Sequence, residues 1–314
     1  MNAPLVSVVI VTRNGGGTLP ATLDMIARQR VDFDFEVVAV DSGSTDGSLA
    51  LLERSAQQLV AIPPGSFNHG LTRNLGIQHA RGDLIVLLVQ DALPSSENWL
   101  AGLTAPLRAN TDVAGAFCRQ QPRPDATALT RLYMDTWIAF SGTSRSVRLT
   151  SREEFDRLSP HDRLERCAFD NVCSCIRRSV WQQIPFSDTP IAEDLEWARA
   201  ALLAGHRLDF VAEAVVVHSH ERPAWYEFAR TYLLHRRLFE LFGLRTIPTA
   251  ADLVRSIAGS LRLHIAHTRR DPREGGASRG IGRAVALAVA WPAGQYLGGL
   301  SAAKRWRPLR VKAV

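Results

Sequence analysis

Short apolar runs alternate with amphipathic segments along the first third of the chain. The runs at residues 5–11, 35–40 and 84–89 are continuous and rich in Val, Ile and Leu. Such runs are typical of strands buried on both faces of a parallel sheet. Apolar residues at helical spacing over residues 18–30 predict a helix after the first run. This alternation predicts an α/β fold with a mostly parallel, Rossmann-like sheet.

The same pattern predicts the remaining elements as far as residue 222. Further helices are predicted over residues 49–57, 72–80, 96–109, 178–183 and 192–204, and further strands near residues 59–62, 113–118 and 208–217. Residues 169–175 (FDNVCSC) and 271–282 (DPREGGASRGIG) are predicted to be a loop and a linker. Residues 119–165 are polar and Arg-rich and predict no particular element.

Charge divides the chain into two parts. Residues 1–220 carry 20 Lys and Arg against 25 Asp and Glu, whereas residues 221–314 carry 17 against 6. After Pro223 the pattern is helical as well as basic. The sequence therefore predicts a main domain over residues 1–222 and a helical basic extension over residues 223–314. A basic surface favours an anionic partner such as a lipid headgroup, and a solvated surface explains the same charge equally well.

Neither a membrane span nor a zinc site is predicted. The longest apolar stretch, residues 284–300, contains Pro292 and three glycines, and it is shorter than the roughly 18 residues of a span. The first strand begins too early for a signal peptide, so we expect a cytoplasmic protein with free thiols at its four cysteines. Their spacing lacks the second pair of ligands that a zinc site needs.

Polar residues follow three of the predicted strands. Residues 12–14 (TRN) come after the first run, Asp41 ends the second, and Asp91 follows the run at 84–89. Ligands of α/β sheets bind beyond the carboxyl ends of the strands. A carboxylate there can hold a divalent ion or accept a hydrogen bond from a ribose. The alternative for both acids is a place in an ordinary turn.

Two later segments add candidate chemistry. Glu193 and Asp194 open a predicted helix, where one carboxylate in a cleft can act as a general base and where the helix dipole favours acids without any function. His218 and His220 lie two apart on a predicted strand, and therefore on one side of it, where they can ligate a metal. Arg73 can bind a phosphate through two parallel hydrogen bonds, or lie on the surface of a helix.

Several of these motifs, in this order, resemble the family 2 glycosyltransferases of the GT-A fold. The matching stretches are VSVVIVTRNGGGTLPATL, VDSGSTDGS and FNHGLTRNLGIQHARGDLIVLLVQDALP. The stretches FDNVCSCIRRSVWQQIPF, AEDLEWARAALLAGHRL and VVVHSH are similar to the bacterial rhamnosyltransferase branch of that family. The resemblance spans residues 5–240.

The resemblance implies a role for each matching residue. Donor contacts are implied for Thr12, Arg13, Asn14, Asp41, Ser42, Arg73, Asn74, Gln90 and Asp91. Contacts on the acceptor side are expected for Asp170, Asn171, Trp181 and Glu193. Asp194 matches the catalytic base of the family.

The metal motif of the family is altered in this chain. Asp91 matches the last acid of the DxD motif, but Val89 replaces the first acid. The resemblance implies a divalent cofactor, Mg²⁺ or Mn²⁺, held by Asp91. The missing acid leaves a further ligand to His218 or to water.

The implied reaction moves a sugar, with rhamnose as one candidate, from a nucleoside-diphosphate sugar to a saccharide or lipid-linked acceptor, with inversion, in cell-surface polysaccharide synthesis. The basic extension then predicts peripheral contact with the inner face of the cell membrane through Arg236, Arg237, Arg269 and Arg270. No nucleic acid partner is expected. Two alternatives stay open: a nucleotidyltransferase that makes a nucleotide sugar, and a non-catalytic protein that binds a nucleotide sugar or a nucleic acid.

Overall fold

A computed structural model of the chain describes residues 4–270, 277–309 and 311. Its strands are β1 (Val6–Thr12), β2 (Phe35–Asp41), β3 (Gln58–Ala61), β4 (Leu84–Val89), β5 (Leu93–Pro94), β6 (Val113–Gln121), β7 (Arg145–Val147), β8 (Cys173–Arg177) and β9 (Arg207–Val217). Its helices are α1 (Leu19–Ala27), α2 (Ser48–Ser55), α3 (His69–His79), α4 (Trp99–Ala109), α5 (Ala128–Met134), a 3₁₀ turn (Ile138–Phe140), α6 (Arg152–Arg157), α7 (Pro160–Arg166), α8 (Arg178–Gln183), α9 (Glu193–Leu203), α10 (Ala224–Phe242), α11 (Ala250–Arg270) and α12 (Ala277–Ala303).

The strands form one mixed sheet in the order β3-β2-β1-β4-β8-β6-β9-β5, with β7 beside β9. Strands β1 to β4 pair in parallel, whereas β8 runs antiparallel between β4 and β6. Thr12 lies opposite Asp41, and Val11 lies opposite Val89. The carboxyl ends of β1, β2 and β4 therefore meet at one edge, as the strand pattern predicts.

Both faces of the parallel strands are buried, which explains their continuous apolar sequences. Val8 and Ile10 join one cluster of buried side chains, and Val9 between them joins the other. Successive side chains of a strand point to opposite faces, so each face needs its own cover. Helices α1 and α4 supply it on one side, and α3 and α9 supply it on the other.

Strand β8 corrects the prediction of a loop over residues 169–175. Cys173 and Cys175 are buried in one cluster and Ile176 in the other, because β8 fills the gap between β4 and β6. The four cysteines are buried free thiols, as expected. Helix α3 begins at His69, earlier than predicted, since the Asn68 side chain accepts a hydrogen bond from a backbone N–H of the first turn.

The extension after residue 223 packs against the main core. Leu238, Leu241 and Phe242 of α10 belong to the same buried cluster as Trp197 of α9. Of the predicted linker, residues 277–282 lie in α12 and residues 271–276 lie outside the described residues. In the described part of the chain, no helix combines the length and the apolar character that crossing a bilayer demands. The domain boundary at residue 222 stays a prediction.

Candidate active site

Gln90, directly after β4, ties the first loop to the edge of the sheet. Its Oε1 accepts hydrogen bonds from the Thr12 hydroxyl and, at 2.9 Å, from the Arg13 backbone N–H. Its Nε2 donates at 3.0 Å to the Arg13 carbonyl oxygen. The Gln90 amide therefore fixes the loop after β1. The Arg13 side chain is exposed and remains available to a ligand.

The turn after β2 is held largely by its own side chains. Asp41 is buried, and its Oδ1 accepts two backbone N–H groups of the turn, at 2.9 and 3.0 Å. The Ser42 hydroxyl donates at 2.9 Å to the Thr12 carbonyl oxygen. Asn14, at a φ of 50°, accepts the Thr45 backbone N–H at 2.8 Å. These predicted nucleotide contacts thus lie together at one edge, and three of them also stabilise the turn.

Asp91 meets two histidines from the end of β9. Its Oδ1 lies 3.8 Å from His218 Nε2, and its Oδ2 lies 3.4 Å from His220 Nε2. The two Nε2 atoms are 3.1 Å apart. One atom from each of the three side chains falls within a 4.8 Å span, which is compatible with a metal ion between them. We call these three residues the Asp91 cluster.

Gln120 on β6 sets the tautomer of His218. Its Nε2 donates at 2.7 Å to Asp170 Oδ2, so its Oε1 faces His218 Nδ1 at 3.0 Å. His218 Nδ1 must then carry the proton, which leaves a lone pair on Nε2. Burial lowers the pKa of His218 to about 4 and also lowers the pKa of His220. Both imidazoles are therefore neutral at neutral pH, as metal ligands must be.

The spacing of the Asp91 cluster fits one divalent ion. Two nitrogens that bind an ion at about 2.1 Å each lie about 3 Å apart when the two bonds are near a right angle, and the observed separation is 3.1 Å. Val89, at the altered motif position, packs against apolar side chains and offers no ligand atom. The structure therefore brings His218 to Asp91, as expected, and adds His220.

Asp194 begins the first turn of α9 beside other acids. Its Oδ2 accepts the Asn171 backbone N–H at 3.3 Å. Burial raises the pKa of Asp194 well above its usual range, and the negative charges of Glu193 and Asp170 raise it further. A carboxylate with a raised pKa is a stronger base, which is what deprotonation of a hydroxyl requires.

A hydrogen-bonded path joins the Asp91 cluster to Asp194. His218 contacts Gln120, and Gln120 donates to Asp170. The next residue along the chain, Asn171, donates its backbone N–H to Asp194. The Asp91 cluster and Asp194 are therefore connected through Gln120 and the segment of Asp170 and Asn171.

Arg73 and Glu193 form a buried ion pair. Arg73 NH1 lies 2.7 Å from Glu193 Oε1, and the two side chains are 5% and 6% exposed. Arg73 also donates to the Asn171 carbonyl oxygen, and the Asn171 side-chain amide contacts Glu193. These three residues therefore bind one another in this structure. The donor contact of Arg73 and the acceptor contacts of Glu193 and Asn171 stay predictions.

Asn74 and Trp181 lie beneath the site. Asn74 donates to the Phe186 carbonyl oxygen at 2.8 Å and accepts the Trp181 indole N–H at 2.8 Å. Trp181 itself belongs to the main buried cluster. Both side chains therefore hold α3 against α8, and the donor contact of Asn74 and the acceptor contact of Trp181 stay predictions.

The sequence pattern misses two residues that shape the site. Gln120 is buried on β6, which continues beyond its predicted end at residue 118. Arg123 donates at 2.9 Å to the Asp91 carbonyl oxygen, and its NH2 lies 3.7 Å from Asp91 Oδ2. Both lie at or just past the carboxyl end of β6, where the carboxyl-end rule points, and an extension of the predicted strand by three residues would identify Gln120.

Sequence comparisons give one matching family and several relatives. The family model "Glycosyl transferase family 2" matches residues 7–167. The O-antigen chain rhamnosyltransferase RfbN of Salmonella typhimurium is 29% identical over 72% of this chain and 70% of its own length. The O-antigen chain rhamnosyltransferase WbaN of Salmonella anatum is 30% identical over 63% of this chain and 60% of its own length.

Solved structures share the architecture. One is the mannosyltransferase PcManGT of Pyrobaculum calidifontis in complex with GDP-Man and Mn²⁺. Its alignment covers 98% of this chain and 77% of the mannosyltransferase chain, with a TM-score of 0.50 and 20% identity. Another is the glucosyl-3-phosphoglycerate synthase of Mycobacterium tuberculosis in complex with Mg²⁺ and UDP. Its alignment covers 79% of this chain and 81% of the synthase chain, with a TM-score of 0.52 and 18% identity. At these identities the likeness concerns the fold.

Proposed function

Because the chain belongs to glycosyltransferase family 2 and has the GT-A fold, we propose that it is a metal-dependent, inverting rhamnosyltransferase of cell-surface polysaccharide synthesis. The observation that carries this proposal is the hydrogen-bonded path from the Asp91 cluster to Asp194. This path supports a proposal in which the Asp91 cluster binds the leaving diphosphate and Asp194 acts as the base. The chain is a glycosyltransferase by family, and the site supports the mechanism.

Asp194 acts as the general base in this proposal. As the acceptor oxygen forms its bond to the anomeric carbon, the acceptor proton moves to a carboxylate oxygen of Asp194. The bond from the anomeric carbon to the donor phosphate breaks on the opposite face, and the nucleoside diphosphate leaves. A single displacement of this kind inverts the anomeric configuration.

The Asp91 cluster would hold the divalent ion. A bound ion would stabilise the charge on the departing diphosphate. Two imidazoles and one carboxylate suit Mn²⁺ better than Mg²⁺, because Mg²⁺ prefers oxygen ligands throughout. Gln120 orients His218 toward this position, and the Pyrobaculum mannosyltransferase of the same fold was solved in complex with Mn²⁺.

The donor nucleotide would lie along the carboxyl edge of β1 and β2. Arg13 is exposed there, beside Asn14 and the Asp41 turn. Asp170, half-buried between the Asp91 cluster and Asp194, would face the acceptor. The names of the Salmonella relatives support rhamnose as the sugar and an O-antigen-like saccharide as the acceptor.

Contact with the inner face of the cell membrane is proposed through α11, because the acceptor is proposed to be lipid-linked. Arg255, Arg262, Arg269 and Arg270 are exposed on this helix, and Val254 beside them is 68% exposed. Arg236 and Arg237, for which the sequence predicts lipid contact, instead pair with Glu240 and Glu196. The proposed lipid contact therefore rests on α11, which contains Arg269 and Arg270 of the sequence prediction.

A panel of nucleoside-diphosphate sugars tests the function. Thermal stabilisation is measured with and without Mn²⁺, for the wild type and for Asp91→Ala. We expect one nucleotide sugar, such as dTDP-rhamnose, to raise the melting temperature only with metal, and Asp91→Ala to lose that gain. The anomeric configuration of the product is then read by NMR. Stabilisation by no nucleotide sugar, or retention of configuration, would contradict the proposal.

A further inference from the structure

Helix α10 packs one face against the main domain. Leu234 packs against the main buried cluster, Leu241 belongs to it, and Arg237 pairs with Glu196 of α9 at 2.6 Å. Positions 234, 237 and 241 recur at the spacing of one helix face. This packing face therefore covers α9, the helix that begins with the acids of the site.

Arg230 lies on that same face, yet it is exposed. It precedes Leu234 by four residues and Arg237 by seven, which places it on the packing face about 10 Å further along the helix from Arg237. A residue on a packing face is buried where it meets the domain, so an exposed one lies beyond the edge of the contact. Arg230 therefore lies beyond the contact between α10 and α9, toward the end of α10 that follows His218 and His220 in the chain.

The charge of Arg230 acts on two groups from other parts of the chain. Burial raises the pKa of Asp170, and two hydrogen bonds and then the charge of Arg230 act against that rise. Burial likewise lowers the pKa of His69 to about 4, with Arg73 and Arg230 among the charges that contribute. Asp170 and His69 come from separate segments that border the site. In the described residues, no hydrogen bond or ion pair occupies the Arg230 guanidinium.

We infer that Arg230 binds a diphosphate group of a substrate and so completes the active site from the C-terminal extension. This inference rests on the proposed function and assigns to the site a residue outside the span of the family match, residues 7–167. A free guanidinium can bind two phosphate oxygens at once. Asp170 is one hydrogen bond from Gln120, and Gln120 is one from the Asp91 cluster.

The chemistry of the neighbourhood favours the donor diphosphate. Arg123 contacts Asp91. Arg222 stacks over the ring of Tyr226, which lies one helical turn before Arg230 on α10. Three arginines therefore border the Asp91 cluster and its approach. A lipid diphosphate on the acceptor presents the same chemical group, and the experiment separates the two sources.

Titration calorimetry of three variants tests the inference. Arg230→Met removes the charge, Arg230→Lys keeps it without the planar fork, and Arg54→Met removes an exposed arginine of α2 in the main domain. The probes are dTDP, GDP and UDP with Mn²⁺, and a short-chain isoprenyl diphosphate that mimics a lipid-linked acceptor. Melting temperatures, measured alongside, check that each variant folds.

We expect Arg230→Met to weaken the affinity for the nucleotide that the wild type binds by about 10- to 100-fold. This loss corresponds to one or two charge-assisted hydrogen bonds. Arg230→Lys recovers part of that affinity, and Arg54→Met changes nothing. A loss confined to the isoprenyl probe also supports the inference and assigns Arg230 to the acceptor. Affinities for both probes within twofold of the wild type overturn it.

Failure of the inference is distinguishable from failure of the proposed function. If Asp91→Ala loses nucleotide affinity and Arg230→Met does not, the proposed function stands and the role of Arg230 falls. If the wild type binds neither a nucleoside diphosphate nor the isoprenyl probe with Mn²⁺, both fall together.

Discussion

At the residue scale, Glu193 and Asp194 are adjacent acids in different environments. Glu193 is neutralised by Arg73 in a buried ion pair. Among the described residues Asp194 has no such partner, and burial together with the Glu193 charge raises its pKa. Glu193 therefore stabilises the start of α9, and Asp194 is the acid that the proposed mechanism uses as the base.

Glu193→Gln tests this division through the pH profile. Asp194 must be deprotonated to act, so kcat/KM rises with pH through its raised pKa. Removing the Glu193 charge lowers that pKa, so the acidic limb should move to lower pH. A limb that does not move in Glu193→Gln would contradict the coupling. Asp34→Asn, an exposed acid at the far end of β2, is the control and should leave the profile unchanged.

The same variant reports on stability. Glu193→Gln leaves the Arg73 guanidinium buried without its carboxylate, and breaking a buried pair typically costs about 3–5 kcal/mol. Urea unfolding should show a loss of that order, and a loss below about 1 kcal/mol would mean that the pair is not buried in solution.

The sequence identifies these residues as candidates, but it does not separate their roles. Glu193, Asp194 and Arg73 all lie in stretches that match the family. Only the fold shows that Arg73 and Glu193 bind each other. Likewise, only the fold shows that Asn74 and Trp181 hydrogen-bond to each other. A polar or aromatic residue in a motif can serve the packing beneath a site as well as the site itself.

At the element scale, α12 packs closely along α10. A Cβ added to Gly298 would collide with the Tyr232 carbonyl oxygen and with the Arg236 backbone nitrogen, whereas one added to Gly259 on α11 would meet nothing within 4 Å. The close approach of the two helices therefore depends on a missing side chain.

Matched glycine substitutions test this contact. Gly298→Ala should destabilise the protein by about 1–3 kcal/mol, because the helices must move apart. Gly259→Ala should be neutral or stabilising by up to about 1 kcal/mol, since alanine favours an exposed helix. Thermal unfolding of both variants gives the comparison, and equal melting temperatures would count against the contact between α10 and α12.

The elements that the sequence predicts well are those with a strong local period. Strands β1, β2 and β4 are apolar runs because both of their faces are buried. The pattern predicts a loop at β8, because this strand follows polar residues and contains two cysteines and a serine in place of branched residues. Its conformation is imposed by its neighbours β4 and β6, which a local pattern does not record.

At the scale of the whole molecule, the charge is concentrated in residues 221–314, with 17 basic against 6 acidic residues. The fold sorts these charges. Arg237 pairs with the main domain, Arg230 is exposed on α10, and a group on α11 faces solvent. The concentration of basic residues after residue 220 is visible in the sequence. Which of them pair with acids and which stay exposed depends on contacts between distant segments.

Charge reversal on α11 tests the proposed membrane contact. Arg262, Arg269 and Arg270 are changed together to Glu, and cosedimentation with phosphatidylglycerol vesicles is measured. Each arginine near an anionic surface contributes about 1 kcal/mol, so binding should weaken at least about 100-fold. Reversal of Arg54, Arg152 and Arg157, which are exposed on the main domain, should have a much smaller effect. Equal binding by both triple variants would contradict the assignment of α11.

The central claim is that Asp194 is the base and that it is separate from the donor site. The most direct measurement compares transfer and donor binding in Asp194→Asn, with the donor found in the nucleotide-sugar panel. The proposed mechanism predicts that turnover falls by about 10²- to 10⁴-fold, while the dissociation constant for the donor with Mn²⁺ stays within twofold of the wild type. Retained turnover in Asp194→Asn, with the fold intact, would contradict the claim.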